Sequence, residues 1–189
     1  MRLSPTAQAR IHQLAQVFEH IAQTRMQGLG LLHPGLRVQA LGFTEAHEPD
    51  GSVWLQGVLI TPWFMNLVRL PWVRAQALAP GVVAARRFAT QQADFIGAHE
   101  AALGGFEACS LFSPMTEFAD QTAAVLTGHE VLRQMSLTVE QATATGAAPS
   151  TPSLPLAVAS TLAPAPDATL PPSRRGFLLG RPAAGRALP

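Results

Sequence analysis

The chain contains a single cysteine and has neither lysine nor tyrosine. Because Cys109 has no partner within the chain, an internal disulfide and a metal or iron–sulfur site built from several cysteines are both excluded. The missing residue types also exclude a Schiff-base lysine and a phenolic acid–base group. Charged residues make up only 13% of the sequence and the net charge is +1, which argues against nucleic-acid binding through a broad basic surface.

The few charges are unevenly distributed. Residues 1–140 carry nine arginines and eleven acidic residues, a net charge of −2, whereas residues 141–189 carry four arginines and one aspartate, a net charge of +3. A slightly acidic body is therefore followed by a basic segment that has the charge to contact it. The N-terminus has no apolar signal core, and the uncharged run 51–68 contains two glycines and Pro62. We therefore expect a soluble, cytoplasmic protein without stable membrane insertion.

The sequence predicts a helix at each end of the body. Ser4 followed by Pro5 is typical of a helix start, and apolar residues then recur at spacings of three and four as far as about Met26. A second Ser-Pro pair, at 113–114, predicts the start of another helix that ends near Ser136. The residues that follow its helical period are Phe118, Thr122, Val125, Leu126, His129 and Leu132.

The segment between the predicted helices is rich in β-branched and aromatic residues. Asp50-Gly51 between two such runs predicts a hairpin, and an alternating set in the first run consists of Val38, Ala40, Gly42 and Thr44. Later strands are predicted at 87–91, 93–99 and 106–112. The order helix, antiparallel sheet, helix indicates an α+β domain over residues 4–136, with both helices packed on one sheet face.

The remainder of the chain differs from this body in composition. Residues 142–172 are dominated by Ala, Thr, Pro, Ser and Leu and predict a disordered linker. Residues 173–189 form a tail that begins Ser-Arg-Arg-Gly-Phe-Leu-Leu, close to the twin-arginine export motif. A functional export signal is N-terminal and is followed by an apolar stretch. The motif at 173–179 is therefore not expected to export the chain, and it predicts a protein that works among exported precursors without being one. A basic tail without a role remains the alternative.

The chain carries no recognisable catalytic or metal-binding motif. His12 and His20 share a predicted helix and His47 lies in the predicted hairpin turn, where solvated side chains are the usual outcome. Cys109 is expected to be a buried, inert thiol, and no cofactor or metal is expected. Activation of this thiol by a helix beginning at Ser113 remains open, and so does a small cysteine-dependent enzyme.

An aromatic cluster is the main candidate for partner binding. All three tryptophans lie within residues 54–72, and Trp63, Phe64 and Met65 follow a proline that interrupts strand pairing. Aromatic and methionine side chains mark protein-binding surfaces as well as cores. These three residues therefore predict a binding surface, with core packing as the alternative.

Two blocks of sequence resemble the HybE-type family of nickel–iron hydrogenase assembly chaperones, to which the HupJ and HoxT proteins belong. They are Gly-Val-Leu-Ile-Thr-Pro-Trp-Phe-Met-Asn-Leu at 57–67 and Cys-Ser-Leu-Phe-Ser-Pro-Met-Thr-Glu-Phe-Ala-Asp at 109–120. The family also has a C-terminal Ser-Arg-Arg segment. Some relatives carry a fused rubredoxin with two Cys-x-x-Cys pairs, a module that a chain with one cysteine lacks.

The resemblance implies a non-enzymatic chaperone with an α+β fold like that of type III secretion chaperones. It implies that the chain holds the large or small subunit precursor of a nickel–iron hydrogenase until twin-arginine export. A generic protein-binding scaffold is the alternative. The candidate partner-binding residues are Trp63, Phe64, Met65, Ser110, Phe112, Arg174, Arg175, Phe177 and Leu178.

Overall fold

A computed structural model describes residues 3–137 as an α+β unit. The order of a helix, six strands and a helix agrees with the predicted fold class. The predicted linker at 142–172 and the tail at 173–189 lie outside the described residues, so the domain boundaries stay a prediction. The elements are α1 (Pro5–Gln23), β1 (Gln39–His47), β2 (Val53–Ile60), β3 (Met65–Val73), β4 (Val83–Phe88), β5 (Gln91–Glu100), β6 (Gly104–Phe112) and α2 (Gln121–Ser136).

Helix α1 begins where the Ser-Pro signal predicts. The Ser4 hydroxyl accepts a hydrogen bond from the Ala7 amide at 3.1 Å, and Pro5 occupies the first turn. This satisfies one of the amides that a helix start leaves unpaired. The helix ends at Gln23, three residues before the expected end, and Gly28 and Gly30 then turn the chain with φ of +75° and +65°.

The strands form one antiparallel sheet in the order β1-β2-β3-β6-β5-β4. The predicted hairpin at Asp50-Gly51 is confirmed: the Asp50 carboxylate accepts from the Ser52 amide at 2.8 Å, and Gly51 has a φ of +81°. The predicted alternation of Val38, Ala40, Gly42 and Thr44 along β1 is wrong beyond Leu41. The register shifts between Leu41 and Thr44, so Leu41 and Phe43 are buried whereas Thr44 is exposed.

The two helices cover opposite faces of the sheet, and the expectation that both pack on one face is wrong. Strand β2 is buried along its whole length, so each of its faces needs a cover. One core cluster joins α1 to the residues of β2 that include Leu55 and Leu59. The other joins α2 to the alternate residues Val58 and Ile60, together with Leu67 of β3.

The sheet curls so that its two ends approach each other. The Gln56 amide, on β2, donates to the Arg87 carbonyl at 3.1 Å and accepts from the Ala89 amide at 3.3 Å. β2 and β4 are separated by three strands in the sheet order, so these bonds cross the gap between the ends. We call this gap the seam.

Helix α2 closes one end of the seam. Its body packs on β1 and β2, and its C-terminal carbonyls accept from the β4–β5 turn. The Thr90 amide donates to Met135 at 3.1 Å and the Gln91 side chain to Leu137 at 3.0 Å. These contacts satisfy carbonyls that a helix end leaves unpaired.

Helix α2 begins at Gln121 and not at the predicted Ser113-Pro114. Residues 113–120 form an irregular loop with a cis bond before Pro114, in which Met115 and Phe118 are buried. Asp120 supplies the cap, since its carboxylate accepts from the Ala123 amide at 2.8 Å. Tertiary burial of the loop thus overrides a local helix-start signal.

Candidate functional site

The two blocks that carry the family resemblance are neighbours in the sheet. Strand β3 pairs with β6 so that Met65 lies opposite Phe112 and Asn66 opposite Ser110, with a register shift between the two pairs. The loops that follow or precede these residues therefore gather at one end of the sheet. We call this region, formed by the loop 27–36, the turn 61–64 and the loop 113–119, the loop end.

Hydrogen bonds fix the loops of the loop end to one another. The buried Thr61 hydroxyl accepts from the amides of Trp63 at 3.3 Å and Phe64 at 3.0 Å. The Pro62 carbonyl accepts from the His33 amide at 2.9 Å, and the Ser113 hydroxyl makes a long 3.5 Å bond to the Trp63 carbonyl. This end of the domain is therefore an ordered platform.

The aromatic cluster lies inside the loop end. Trp63, Phe64 and Met65 are 7%, 5% and 0% exposed. The Phe64 ring packs edge-on against Phe18 of α1 and against Trp63, with centroid separations of 5.6 and 5.4 Å. The structure thus gives these residues the core role named above as the alternative, and their contact with a partner stays a prediction.

The other two candidates from the body are more accessible. Ser110 is exposed, and Phe112 is half-buried with its ring edge-on to Phe118 at 5.2 Å. The remaining candidates, Arg174, Arg175, Phe177 and Leu178, lie outside the described residues.

Two buried polar atoms, one in the loop end and one in the adjoining part of β3, lack hydrogen-bond partners among residues 3–137. They are Trp63 Nε1 and Asn66 Oδ1. A buried polar group without a partner costs about 1–3 kcal/mol.

Sequence analysis missed the exposed apolar residues of this region. Leu29 and Leu31 are 52% and 53% exposed, and they precede His33 in the loop that is bonded to Pro62. The available signal was an apolar run inside a glycine-rich turn, of which Leu32 packs against the core and Leu29 and Leu31 do not. These leucines give the loop end an apolar surface.

Cys109 has the environment of an inert thiol. Burial, and to a smaller extent the negative charge of Asp94, raise its pKa above the ordinary value. A raised pKa disfavours the thiolate, which is the reactive form. The alternative, activation of Cys109, depends on a helix beginning at Ser113. Because α2 begins at Gln121 instead, the physical basis for an activated thiol is wrong.

Two further properties hold for the described residues. Between residues 3 and 137, no three His, Cys, Asp or Glu side chains are grouped in a way that would hold a metal ion. No helix in that range has both the length and the hydrophobicity to cross a membrane.

A buried charge cluster lies on the α2 side of the sheet, near the seam. The Arg69 guanidinium, 2% exposed, donates to Glu107 at 2.9 Å and to Glu48 at 2.7 Å. Glu107 is fully buried and also accepts from Arg86 at 3.2 Å and from the Leu78 amide at 3.2 Å. The cluster therefore fixes the loop that connects β3 to β4 against the sheet.

Aromatic contact and burial set the electrostatics of Arg69. Its guanidinium carbon lies 4.2 Å from the centroid of the Trp54 ring, a cation–π distance. Burial lowers the pKa of Arg69, while Glu107 and Glu48 act in the opposite direction. Its Nε has no acceptor among the described residues, so one donor of a buried cation is left unused.

The cluster forms the floor of a cleft of about 630 Å³ at the seam. One wall is the β1–β2 turn, and the opposite wall is β4. We call this the seam cleft. It is lined by Glu48, Pro49, Asp50, Ser52, Trp54, Arg69, Arg74, Ala75, Gln76, Ala85, Arg86, Arg87 and Gln92.

Comparisons with known proteins identify the family. Residues 9–180 match the sequence model described as NiFe-hydrogenase assembly chaperone HybE. Protein HoxT of Cupriavidus necator is 41% identical over 186 residues, which cover 91% of this chain and 89% of HoxT. The hydrogenase expression/formation protein HupJ of Bradyrhizobium diazoefficiens is 35% identical over 124 residues, 66% of this chain and 70% of HupJ.

A solved structure is also similar. The solution structure of HybE from Escherichia coli matches 85% of this chain and 91% of its own, with a TM-score of 0.48 and 19% identity. The family match extends over most of the sequence, and the HoxT match covers most of both chains. The chain therefore belongs to the HybE family of nickel–iron hydrogenase assembly chaperones.

Proposed function

We propose that this chaperone binds a precursor subunit of a nickel–iron hydrogenase in the cytoplasm and holds it during maturation, before twin-arginine export. The family supports a hydrogenase subunit as the partner. The proposal includes no catalytic step and no resident cofactor. The raised pKa of Cys109 also disfavours a thiol enzyme.

The loop end is the proposed binding surface, and one observation carries this assignment. Both blocks of the family resemblance converge there, beside the exposed Leu29 and Leu31. Apolar side chains on an ordered platform suit a partner that still exposes hydrophobic surface, because their burial contributes about 25 cal/mol per Å². Ser110 lies on a neighbouring strand and adds a polar contact.

The test is capture of purified precursors by a variant with a polar loop end. Leu29→Asp/Leu31→Asp should bind either the large or the small subunit precursor much more weakly than the unmodified chain. Its melting temperature should change little, since surface substitutions usually cost less than about 0.5 kcal/mol. Leu126→Asp is the matched control, because Leu126 is 65% exposed on the outer face of α2.

The outcomes separate the proposal from its alternatives. Loss of capture by the loop-end variant, with capture retained by Leu126→Asp, supports the loop end as the surface. Equal capture by both variants would contradict it. A chain that captures unrelated proteins as well as hydrogenase precursors would be a generic scaffold.

The proposal extends to the segment Ser173–Leu179, which lies outside the described residues. Its sequence supports binding in cis at the site that takes the small subunit's twin-arginine signal, so that each displaces the other. Because an exposed ion pair contributes at most about 1 kcal/mol, the arginines need help from Phe177 and Leu178. Truncation after Pro172 should then tighten binding of a signal-bearing small subunit. Unchanged binding would refute the competition, and weaker binding would indicate direct contact of the tail with the partner.

A further inference from the structure

The seam cleft is lined by an open strand edge. β4 is an edge strand of the sheet, paired on one side with β5. On its other side the Arg87 carbonyl points outward to Gln56. Because successive residues of a strand direct their backbone groups to opposite sides, Ala85 directs its N–H and C=O outward as Arg87 does. The bonds to Gln56 use only the Arg87 carbonyl and the Ala89 amide. The Ala85 groups therefore face the cleft, available to a further strand.

The cleft lining is cationic on balance, because it contains four arginines against the two acids Glu48 and Asp50. Arg69 and Arg86 are paired with Glu107 and Glu48. Arg74 and Arg87 are exposed, and among the ion pairs of residues 3–137 neither takes part. Arg74 and Arg87 are thus two cationic residues of the cleft lining that have no ion-pair partner among residues 3–137.

Backbone strain is concentrated beside the same cleft. Arg74 and Ala89 have φ of +51° and +52°, and they are the non-glycine residues with positive φ in the described part of the chain. Such conformations persist where surrounding structure holds them, and they cluster at functional sites. Arg74 lines the cleft, and the Ala89 amide donates to the Gln56 side chain across the seam.

We propose that the seam cleft binds an extended acidic peptide segment of a partner protein, which adds to the outer edge of β4 and places its carboxylates against Arg74 and Arg87. Main-chain bonds to a strand edge supply affinity, and side chains supply specificity. Guanidinium groups pair with carboxylates through two parallel hydrogen bonds. This site lies on a different part of the domain from the loop end and does not depend on the function proposed there.

Charge decides which extended segment fits. A twin-arginine segment would bring two more cations to a cleft whose exposed arginines are already unpaired, so the electrostatic interaction would be repulsive. An acidic segment neutralises them. The seam cleft and a twin-arginine signal are therefore expected not to interact.

The experiment uses the full chain and a fluorescein-labelled heptapeptide, Thr-Glu-Val-Asp-Val-Glu-Thr. The control peptide replaces each acid by its amide. Anisotropy should show binding of the acidic peptide, and it should weaken as salt is raised. Arg74→Gln and Arg87→Glu should each weaken binding at low salt by up to about fivefold, the upper end of the range for one exposed ion pair. Arg37→Glu, an exposed arginine on another loop, is the control and should have no effect.

A second variant tests the strand edge itself. Ala85→Pro removes the outward N–H but leaves the ladder to β5, since proline is tolerated where an edge N–H faces solvent. It should abolish binding, whereas Ala85→Val, which keeps the N–H, should retain it. Chemical-shift changes on binding should centre on the Ala85 and Arg87 amides.

Three results would overturn the proposal. They are equal binding of the acidic and amide peptides, equal loss of binding in Arg37→Glu and Arg87→Glu, and shift changes centred on the loop end. Binding that survives in folded Ala85→Pro would overturn strand addition.

Discussion

Loss of the Glu107 carboxylate should be strongly destabilising, because this group neutralises a buried cation. Glu107→Leu leaves Arg69, which is 2% exposed, with Glu48 as its ion-pair partner among the described residues. It also leaves the Leu78 amide and Arg86 without their acceptor. Removing one member of a buried pair typically costs about 3–5 kcal/mol, a large share of the about 5–15 kcal/mol that stabilises a domain.

Replacement of both partners should cost much less. Arg69→Met/Glu107→Leu removes both members of the fully buried pair, and apolar replacement of buried pairs is often neutral or stabilising. Glu48, Arg86 and the Leu78 amide still lose their partners, so part of the cost remains. Urea unfolding of the four proteins of this cycle gives the coupling free energy. Trp54 fluorescence is a local reporter, since the Arg69 guanidinium lies over its ring.

Glu107→Leu alone should lower the melting temperature by about 10–20 °C, because each kcal/mol corresponds to about 3–4 °C for a domain of this size. The exposed pair Glu130–Arg133 provides the control, and Glu130→Gln should have a far smaller effect. A loss below about 1 kcal/mol for Glu107→Leu, or a double variant as unstable as the sum of both singles, would refute the reasoning.

Three further predictions concern the core, the thiol and the loop between β3 and β4. Phe64→Ser should lower the free energy of unfolding by about 3–5 kcal/mol in urea denaturation, and a small change would favour a partner-binding role instead. Alkylation of Cys109 should have its midpoint above the pH of an ordinary thiol, because its pKa is raised; a midpoint at or below the ordinary value would contradict this. The stability contributed by the neutral thiol is complete below the unfolded-state pKa and decreases as pH rises through the folded-state pKa. Gly97→Val should destabilise the domain, since a Cβ there would clash with the Ala79 carbonyl oxygen, and an unchanged thermal melting curve would show that this loop moves freely.

The parts of the fold that sequence predicted correctly have local causes. The start of α1 depends on a hydroxyl and a proline at adjacent positions, and the β1–β2 hairpin depends on Asp50-Gly51. Each signal acts over a few residues, so it is legible without the tertiary structure.

The parts that sequence predicted wrongly depend on distant contacts. The Ser113-Pro114 pair looks like a helix start, but burial of Met115 and Phe118 holds this segment in a non-helical loop. Residues 87–91 were predicted as strand, yet the structure turns at Ala89, a residue whose identity does not indicate a positive φ. Placement of α1 and α2 on the same face failed because Val53–Ile60 is buried on both faces, a pattern that requires two covers.

The candidate sites follow the same division. The two family blocks were recognisable, and their proximity follows from the pairing of β3 with β6. The Arg69–Glu107 pair joins residues 38 positions apart, and neither residue lies in a motif. The seam cleft exists only because the sheet curls, which no local pattern specifies.

The bridge that α2 makes from β1 and β2 to the β4–β5 turn sets the order in which the domain is completed during synthesis. Residues as far apart as Gln39 and Gln121, or Gln91 and Leu137, contact each other. The interior of the curled sheet therefore stays open to solvent until the end of α2 has left the ribosome. Since such long-range contacts form late in folding, a nascent chain stopped before Leu137 exposes the apolar surface that α2 later covers. Until α2 has been made, the chain therefore exposes an aggregation-prone apolar surface.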